Sequence, residues 1–380
     1  MKVCVVVLNS IWYDPRVRKQ IAEYLRSGVN VCGVGFRCNR YDEKKVAQIP
    51  CPVHIVQGEN IPRKKLKSVF AKLKRENARN RAVTQAIIAM NPDVIHANDL
   101  DTLIPAYRAA KKLKCKLIYD SHEIYVKNNM LVKKPLYALM LGMQERYIVH
   151  RVDRMVCVSH AAADYFVKRY HIPKPTVITN CTLKAEQGDH LPQKDGFEVL
   201  NHGQFYAGRG YETMIDACEL IKDYPEIKLA IRGLGALEKM LREKAAALSN
   251  PDQFSIYPPV LVQDLIKEAS TSHVGVAITD PFCLNFKLSV SNKLFEYAAA
   301  GLPVIMSDIP EHRYLNEKYN FGLILPKNTP EALAEAVIKL YTDKELYDRC
   351  VANAKKLSDE VNWENEFGKL ITFERSITKE

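Results

Sequence analysis

Short apolar runs and longer amphipathic stretches alternate along nearly all of this 380-residue chain. Runs rich in β-branched residues fit strands at 3–8, 29–33, 53–56, 94–96, 116–119, 154–158 and 176–178. Between them, apolar positions recur at helical spacing over 15–27, 65–90, 102–112, 135–149 and 160–169. The polar stretch 184–196 has no apolar periodicity and reads as a linker. The pattern then restarts, with strands at 198–201, 228–232, 254–257, 274–278, 304–306 and 322–325 and helices between them. Apolar strands alternating with helices predict parallel sheets covered on both faces. A chain of this length exceeds a single hydrophobic core, so the reading is two α/β domains, 1–183 and 197–360. Ligands of such sheets bind beyond the carboxyl ends of the strands, and candidate chemistry is therefore sought where strands end.

The most informative of these places is Ser291-Asn292-Lys293-Leu294-Phe295-Glu296-Tyr297. It opens a short helix, which Gly301-Leu302-Pro303 stops before the strand at 304–306. Unpaired N–H groups and the dipole at a helix start suit a phosphate. A carboxylate about one turn further in, Glu296, can accept hydrogen bonds from a ribose diol. Phosphate and ribose together mean a nucleotide; an isolated Glu would be the wet face of an ordinary helix. After the strand at 198–201 comes a glycine loop, Gly203-Gln204-Phe205-Tyr206-Ala207-Gly208-Arg209-Gly210. Its glycines admit a ligand to the backbone and Arg209 carries a planar charge suited to a diphosphate. Gly233-Leu234-Gly235 is a bare G-x-G, and Pro258-Pro259-Val260 is either a stiff wall for a base or a plain turn.

In the first half, Asn9 to Arg18 lacks G-x-G-x-x-G, which argues against a dinucleotide there. Asp14 with Pro15 reads as a helix cap, and Arg16 is either solvated or functional. Two further strand ends, His96-Ala97-Asn98-Asp99-Leu100-Asp101 and Tyr119-Asp120-Ser121-His122-Glu123, are dense in ionisable groups. Asp99 or Asp101 is expected as a cap. A lone histidine is more often structural than catalytic, but His122 at a polar strand end is an even choice.

Charge changes the picture further. Residues 1–180 hold 32 Lys and Arg against 14 Asp and Glu, a net of +18; residues 181–380 hold 23 against 30, a net of −7. The basic half suits an anionic surface or a phosphorylated substrate. Within it, residues 61–75 are basic with Leu66, Val69, Phe70 and Leu73 at helical spacing, a pattern shared by membrane-surface helices and by core-packed helices with a solvated basic face. No run is long and apolar enough to span a bilayer, and the opening apolar residues 1–8 read as a strand rather than a signal peptide. The ten scattered cysteines contain no C-x-x-C pair, which points to reduced thiols in a cytosolic protein without a zinc site.

Taken in order, Asp14-Pro15-Arg16-Val17, His96 to Asp101, Tyr119 to Glu123, Asn180-Cys181, Gly203 to Gly210, Gly233 to Gly235 and Asn292 to Tyr297 resemble the retaining nucleotide-sugar glycosyltransferases of family 4, with the GT-B fold. The resemblance covers nearly the whole chain. It implies two Rossmann-like domains facing a cleft, a linker at 184–196, and a final helix within 361–380 that crosses back to the first domain. It implies sugar-nucleotide binding by Gly203, Gln204, Arg209, Gly233, Val260, Lys287, Ser291, Asn292, Lys293 and Glu296, with UDP favoured and GDP possible. Asp14, Arg16, Asn98, Asp99 and Glu123 would lie on the acceptor side. His122 would be a positioning residue near the reacting sugar, and Arg209 would stabilise the leaving diphosphate.

Two positions depart from the family pattern. Gln204 stands where a basic phosphate ligand is usual, and Leu288 where many members have a second Glu. The expected activity is metal-independent hexosyl transfer with retention, needing no cofactor, to a lipid-linked or cell-surface glycan in polysaccharide biosynthesis. The enzyme would sit on the cytoplasmic face of the membrane through residues 61–75. Alternatives are a sugar-nucleotide epimerase of the same fold and a catalytically silent basic scaffold. A nucleic-acid-binding role ranks low, because the basic half has no aromatic-basic module for stacking bases.

Overall fold

The computed structural model describes residues 1–38, 42–57, 69–128, 131, 134–191 and 196–377. Residues 61–68 of the basic segment therefore lie outside the described residues. The chain divides into two units, Met1–Thr179 with Glu366–Glu380, and Asn180–Asn365.

The first unit contains β1 (Lys2–Val6), α1 (Pro15–Arg26), β2 (Asn30–Phe36), α2 (Glu43–Val46), β3 (Val53–Val56), α3 (Val69–Met90), β4 (Val94–Asn98), α4 (Leu100–Leu113), β5 (Lys116–Ser121), α5 (Pro135–Val149), β6 (Arg154–Cys157), α6 (His160–Tyr170) and β7 (Thr176–Val177). Its seven strands run in the order β3-β2-β1-β4-β5-β6-β7, and every pairing is parallel. Residues Val3, Cys4, Val5 and Val6 are all buried in sequence, because helices cover both faces of the sheet. One core packs Cys4, Val6, Val34, Ile95 and Leu117 against Val83, Ile87, Ala106 and Ala109 of α3 and α4.

The second unit contains β8 (Phe197–His202), α7 (Tyr211–Cys218), β9 (Ile227–Arg232), α8 (Glu238–Ala246), β10 (Phe254–Tyr257), α9 (Leu265–Ala269), β11 (Val274–Ala277), α10 (Leu284–Leu288), α11 (Asn292–Ala299), β12 (Val304–Ser307), α12 (Pro310–Tyr319), β13 (Gly322–Leu325), α13 (Pro330–Thr342) and α14 (Lys344–Glu360). Its strands run in the order β10-β9-β8-β11-β12-β13, again all parallel. Both sheets are doubly wound. In each the strand order reverses at one place, beside β1 and beside β8, and that is where such sheets open a binding crevice.

Hydrogen bonds tie the polar stretch after 183 to the second unit. Gln187 donates to the Ser358 carbonyl at 2.6 Å, Gly188 N to Ala299 O at 2.9 Å and Leu191 N to Ser270 O at 3.1 Å. The last helix, α15 (Trp363–Ile377), begins in the second unit and continues in the first. Its Trp363 N donates to Thr182 O at 2.8 Å. From Glu366 onward the helix belongs to the first unit: Glu366 accepts from Thr179 N at 3.1 Å, and Phe367 meets the Tyr24 ring edge-on at 4.9 Å.

Phe367 is fully buried, so truncation would leave a cavity lined by Tyr24 and His96. We expect Phe367→Ala to lower stability by about 3–5 kcal/mol, read by urea unfolding. A loss within about 0.5 kcal/mol, the range of surface substitutions, would mean that this helix contributes little to the unit.

Candidate functional site

Polar residues collect at strand ends in both units. In the second unit β8 ends in Asn201 and His202 and runs directly into Gly203. Gly203 has φ +134°, and a Cβ there would meet Lys293 Cε at 3.3 Å and Tyr211 Oη at 3.1 Å. Gly233, after β9, has φ +150°, and its Cβ would sit 1.8 Å from the Gly203 carbonyl oxygen. The two loops thus stack backbone on backbone, which no side chain permits.

Across this floor lies α11. Lys293, on its first turn, donates to Asn201 Oδ1 at 2.6 Å and stands 5.1 Å over the Tyr211 ring. Burial, with the nearby charge of Arg209, pushes the Lys293 amine down to about 7, against a smaller opposing pull from Glu296. Arg209 is held by its own backbone carbonyl, which accepts from Asn201 Nδ2 at 3.0 Å, by Thr279 Oγ1 at 3.5 Å, and by the Phe286 ring 4.6 Å below its guanidinium. Neither cation has a carboxylate within ion-pair distance among the described residues. Two adjacent, partly desolvated cations without counter-ions make a place for a multiply charged anion.

Glu296 extends from the same helix. Its Oε2 lies 2.7 Å from Nε2 of buried His202. The Tyr297 hydroxyl accepts from His202 N at 2.9 Å and fixes that strand end. Ser291 precedes α11 without a side-chain capping hydrogen bond, so it does not occupy the helix's first N–H groups. Asn292, Gln204 and Lys287 are exposed, and Val260 and Leu288 are half-buried.

The first unit builds a different centre. Asp120, at the end of β5, is buried and receives Arg16 Nε at 3.1 Å and Nη2 at 3.0 Å, as well as Gln20 Nε2 at 2.7 Å. Arg16 also donates to the Ile178 carbonyl at 3.0 Å. Its guanidinium is buried in the interior and offers no face to a ligand. His96 sits 3.4 Å from Asp120 and 2.8 Å from the Tyr24 hydroxyl. Burial alone would push the Asp120 carboxyl up; Arg16, then His122 and His96, hold it far below the usual carboxylate range.

His122 stands at the rim of this network. Its Nε2 lies 2.9 Å from Asn98 Oδ1, and its Nδ1 lies 3.4 Å from Asp99 Oδ2. Asn98 Nδ2 donates to the Val6 carbonyl, so its oxygen faces the ring and Nε2 carries the proton. Burial pushes the imidazole down to about 4 in spite of Asp120. Burial, with Asp101 and Glu123, holds the Asp99 carboxyl well above its usual range. Burial is the largest cause of both shifts, and it disfavours charge on the two facing groups. Asp99 was expected to cap α4 but makes no side-chain capping bond. Its φ of 64° turns the carboxylate to His122, whose backbone N–H it accepts at 3.1 Å; such strain costs about 1–3 kcal/mol and gathers at functional sites. Asp101 is pushed up to about 6 by burial. Asp14 does cap its helix, accepting from Val17 N at 3.1 Å. Glu123 accepts from Asn128 Nδ2 at 2.9 Å.

The Glycosyltransferase Family 4 model matches residues 16–182, and the model for Glycosyl transferases group 1 matches residues 184–357. The chain belongs to the GT-B glycosyltransferases of family 4 and group 1. A probable sucrose-phosphate synthase 2 of Oryza sativa subsp. japonica is 25% identical over 184 residues, which are 43% of this chain and 18% of that relative. This glycosyltransferase chain therefore matches under a fifth of the length of that relative. In structure it is similar to a sucrose-phosphate synthase from Thermosynechococcus elongatus (TM-score 0.78, 16% identity, 100% of this chain and 99% of the other). It is also similar to Anabaena HepE in complex with UDP-glucose (TM-score 0.74, 14% identity, 99% and 100%). At these identities the likeness is one of fold.

Among the residues named from sequence, Gly203, Gly233, Arg209, Lys293 and Glu296 converge in this glycosyltransferase's second unit, and Asn98, Asp99 and His122 converge in its first. Arg16 is drawn inside, to Asp120. His202, Asn201, Tyr211 and Thr279 carry the second centre without having been singled out. For His202 the signal was available: a histidine closing the apolar run Val199-Leu200 just before a glycine loop. Gln20 and Tyr24 gave none, since both sit at ordinary helical positions.

The His122 shift has a stability consequence. An unfolded histidine takes up its proton near 6.5, whereas the folded ring resists protonation down to about 4. Between those values the unfolded chain binds more protons, so the His122 contribution is present above 6.5 and is lost as pH falls towards 4. Wild type should thus lose stability relative to His122→Asn between pH 7 and pH 5 in urea titrations. A difference independent of pH would overturn the shift.

Proposed function

We propose that this glycosyltransferase moves a sugar from a nucleoside-diphosphate sugar to a hydroxyl of a lipid-linked or cell-surface glycan, with retention at the anomeric carbon. UDP is favoured over GDP as the nucleotide. The observation that carries the reading is the juxtaposition on α11 and its floor: Glu296 fixed by His202 at 2.7 Å, beside two cations that have no ion-paired carboxylate among the described residues. Glu296 accepts from the ribose diol, with Oε2 steadied by His202. Arg209 and Lys293 receive the diphosphate, helped by N–H groups at Ser291 and Asn292. Gly203 and Gly233 admit the ligand to the backbone, Val260 walls the base, and Gln204 and Lys287 line the rim. The UDP-glucose complex of the structurally similar Anabaena HepE supports a UDP-sugar.

The barrier to transfer lies in parting an oxocarbenium-like sugar from its diphosphate. Fixed cations and N–H donors stabilise the charge that develops on the leaving group, so this route requires no metal. A diphosphate beside Lys293 favours its charged form and offsets the burial that discharges it. The acceptor hydroxyl attacks from the leaving-group face, so no protein nucleophile takes part. In the first unit Asp14, Asn98, Asp99 and Glu123 receive the acceptor. Arg16 acts through Asp120. His122, with both ring nitrogens engaged, positions and polarises rather than shuttling a proton. The place of action is the cytoplasmic face of a membrane, in the assembly of a polysaccharide. Among the described residues no helix is long and apolar enough to cross a membrane; the association in this reading is peripheral.

UDP should raise the melting temperature of the wild type, and Glu296→Ala should remove most of that rise. Losing a charged acceptor costs about 1.5–3 kcal/mol of binding, or roughly ten- to a hundredfold in Kd. An unchanged UDP affinity in the variant would overturn the nucleotide assignment.

Arg209→Ala should lower kcat by more than it raises KM for the sugar nucleotide, because the diphosphate gains charge only as the bond breaks. Steady-state kinetics of both proteins separate the two effects. A rise in KM alone would reduce Arg209 to a ground-state anchor.

A further inference from the structure

Helix α5 is attached by one face. Gly142, Glu145, Ile148 and Val149 are buried, and Glu145 accepts from the Tyr119 hydroxyl at 2.7 Å and the Tyr170 hydroxyl at 2.6 Å. The other face is apolar and exposed, with Tyr147 also meeting the Tyr107 ring edge-on at 6.2 Å. Leu136 is 82% exposed, Leu139 56%, Met143 58% and Tyr147 54%. These positions follow one another at three- and four-residue steps and so lie along a single line of the helix. Solvent-facing helix positions ordinarily carry charge, and a contiguous exposed apolar face marks a surface with a partner.

The charge around the line indicates which partner. Glu145, the one acid of this helix, is turned inward. Exposed cations bracket the line, Lys127 and Lys134 before it and Arg146 and Arg151 at its end. The Arg151 guanidinium lies 3.7 Å over the Tyr147 ring, pairing an amphipathic aromatic with a cation as at a lipid headgroup boundary. Residues 1–180 carry +18, so a second copy brought face to face would set like charge against like. An anionic bilayer meets both requirements, with acyl chains for the apolar line and headgroups for the flanking cations. The helix has 15 residues, about 22 Å, which lets it lie in the interface but not cross.

We propose that the outward face of α5 docks this enzyme on an anionic lipid surface, with Leu136, Leu139, Met143 and Tyr147 inserted and Lys134, Arg146 and Arg151 at the headgroups. The proposal gives the proposed lipid-side action of the enzyme an apolar anchor distinct from the basic segment 61–75. It rests on that reading only for its purpose.

The test uses the full chain and vesicles of phosphatidylcholine with or without phosphatidylglycerol, free of any glycan acceptor. The wild type should sediment with the anionic vesicles, less so at high salt. Leu136→Ser, Leu139→Ser and Met143→Ser combined should lower that partitioning at least about tenfold with an unchanged circular dichroism melt, since all three side chains are exposed. In a separate variant, Leu139→Trp should show emission that shifts to the blue on anionic vesicles and is quenched by brominated acyl chains. Undiminished binding by the triple variant, no blue shift, or no binding by the wild type would each overturn the proposal. So would a concentration-dependent dimer that the triple variant abolishes. Sugar-nucleotide turnover measured without vesicles is a separate readout: its absence would sink the transferase reading and leave the docking surface standing.

Discussion

A parallel sheet covered on both faces by helices leaves polar chemistry almost nowhere but the carboxyl ends of its strands. Both units obey that constraint, and the candidate residues follow from it. Asn98 closes β4, Asp120 nearly closes β5, Asn201 and His202 close β8, and Gly233 follows β9. Each strand end delivers one or two polar side chains next to those of its neighbour, because parallel pairing keeps the ends in register. Residues far apart in the chain are thus brought within hydrogen-bond reach: Gln20 and Asp120 are separated by 100 positions, and His202 and Glu296 by 94.

The two centres handle buried charge in opposite ways. In the first unit Asp120 is surrounded by donors, and its charge is fully used inside the protein. Removing one member of such a buried pair typically costs about 3–5 kcal/mol, because the other is left uncompensated. That network sets the rear wall against which His122 rests; burial pushes the imidazole down although a carboxylate lies 3.7 Å away, and the charge of Arg16 adds to the shift. In the second unit the compensation is weaker. Among the described residues Lys293 meets an amide oxygen and a ring, and Arg209 a hydroxyl and a ring. Neither cation has a carboxylate within ion-pair distance among the described residues, and Glu296 offsets only a small part of the burial of Lys293.

The halves also differ in what they offer to a surface. In the first unit Asp120 and Glu145 are buried, whereas Asp93, Asp153 and Asp164 are exposed among a larger number of Lys and Arg, and α5 adds large apolar side chains to the surface. Salt weakens charge attraction to such a surface but not apolar contact.

Much of this was determined by the sequence alone. The strand and helix periods located all thirteen strands to within a few residues, since a continuous apolar run in a covered sheet has no other stable use. The sequence also singled out the glycine loops, Arg209, Lys293 and Glu296, which the structure brings together at one end of the second sheet. Tertiary structure decided the partnerships. Whether Arg16 faces a ligand or Asp120, whether Asp99 caps a helix or turns to His122, and whether His202 is core or clamp depend on contacts across tens of residues that no local pattern encodes. The stretch after 183 lacked periodicity because its ties are hydrogen bonds from Gln187, Gly188 and Leu191 to separate partners, which follow no helical or strand spacing. The exposed face of α5 was invisible for the complementary reason: an apolar residue at helical spacing looks the same whether it meets the core or the solvent, and only the packing of the neighbouring elements settles which side is covered.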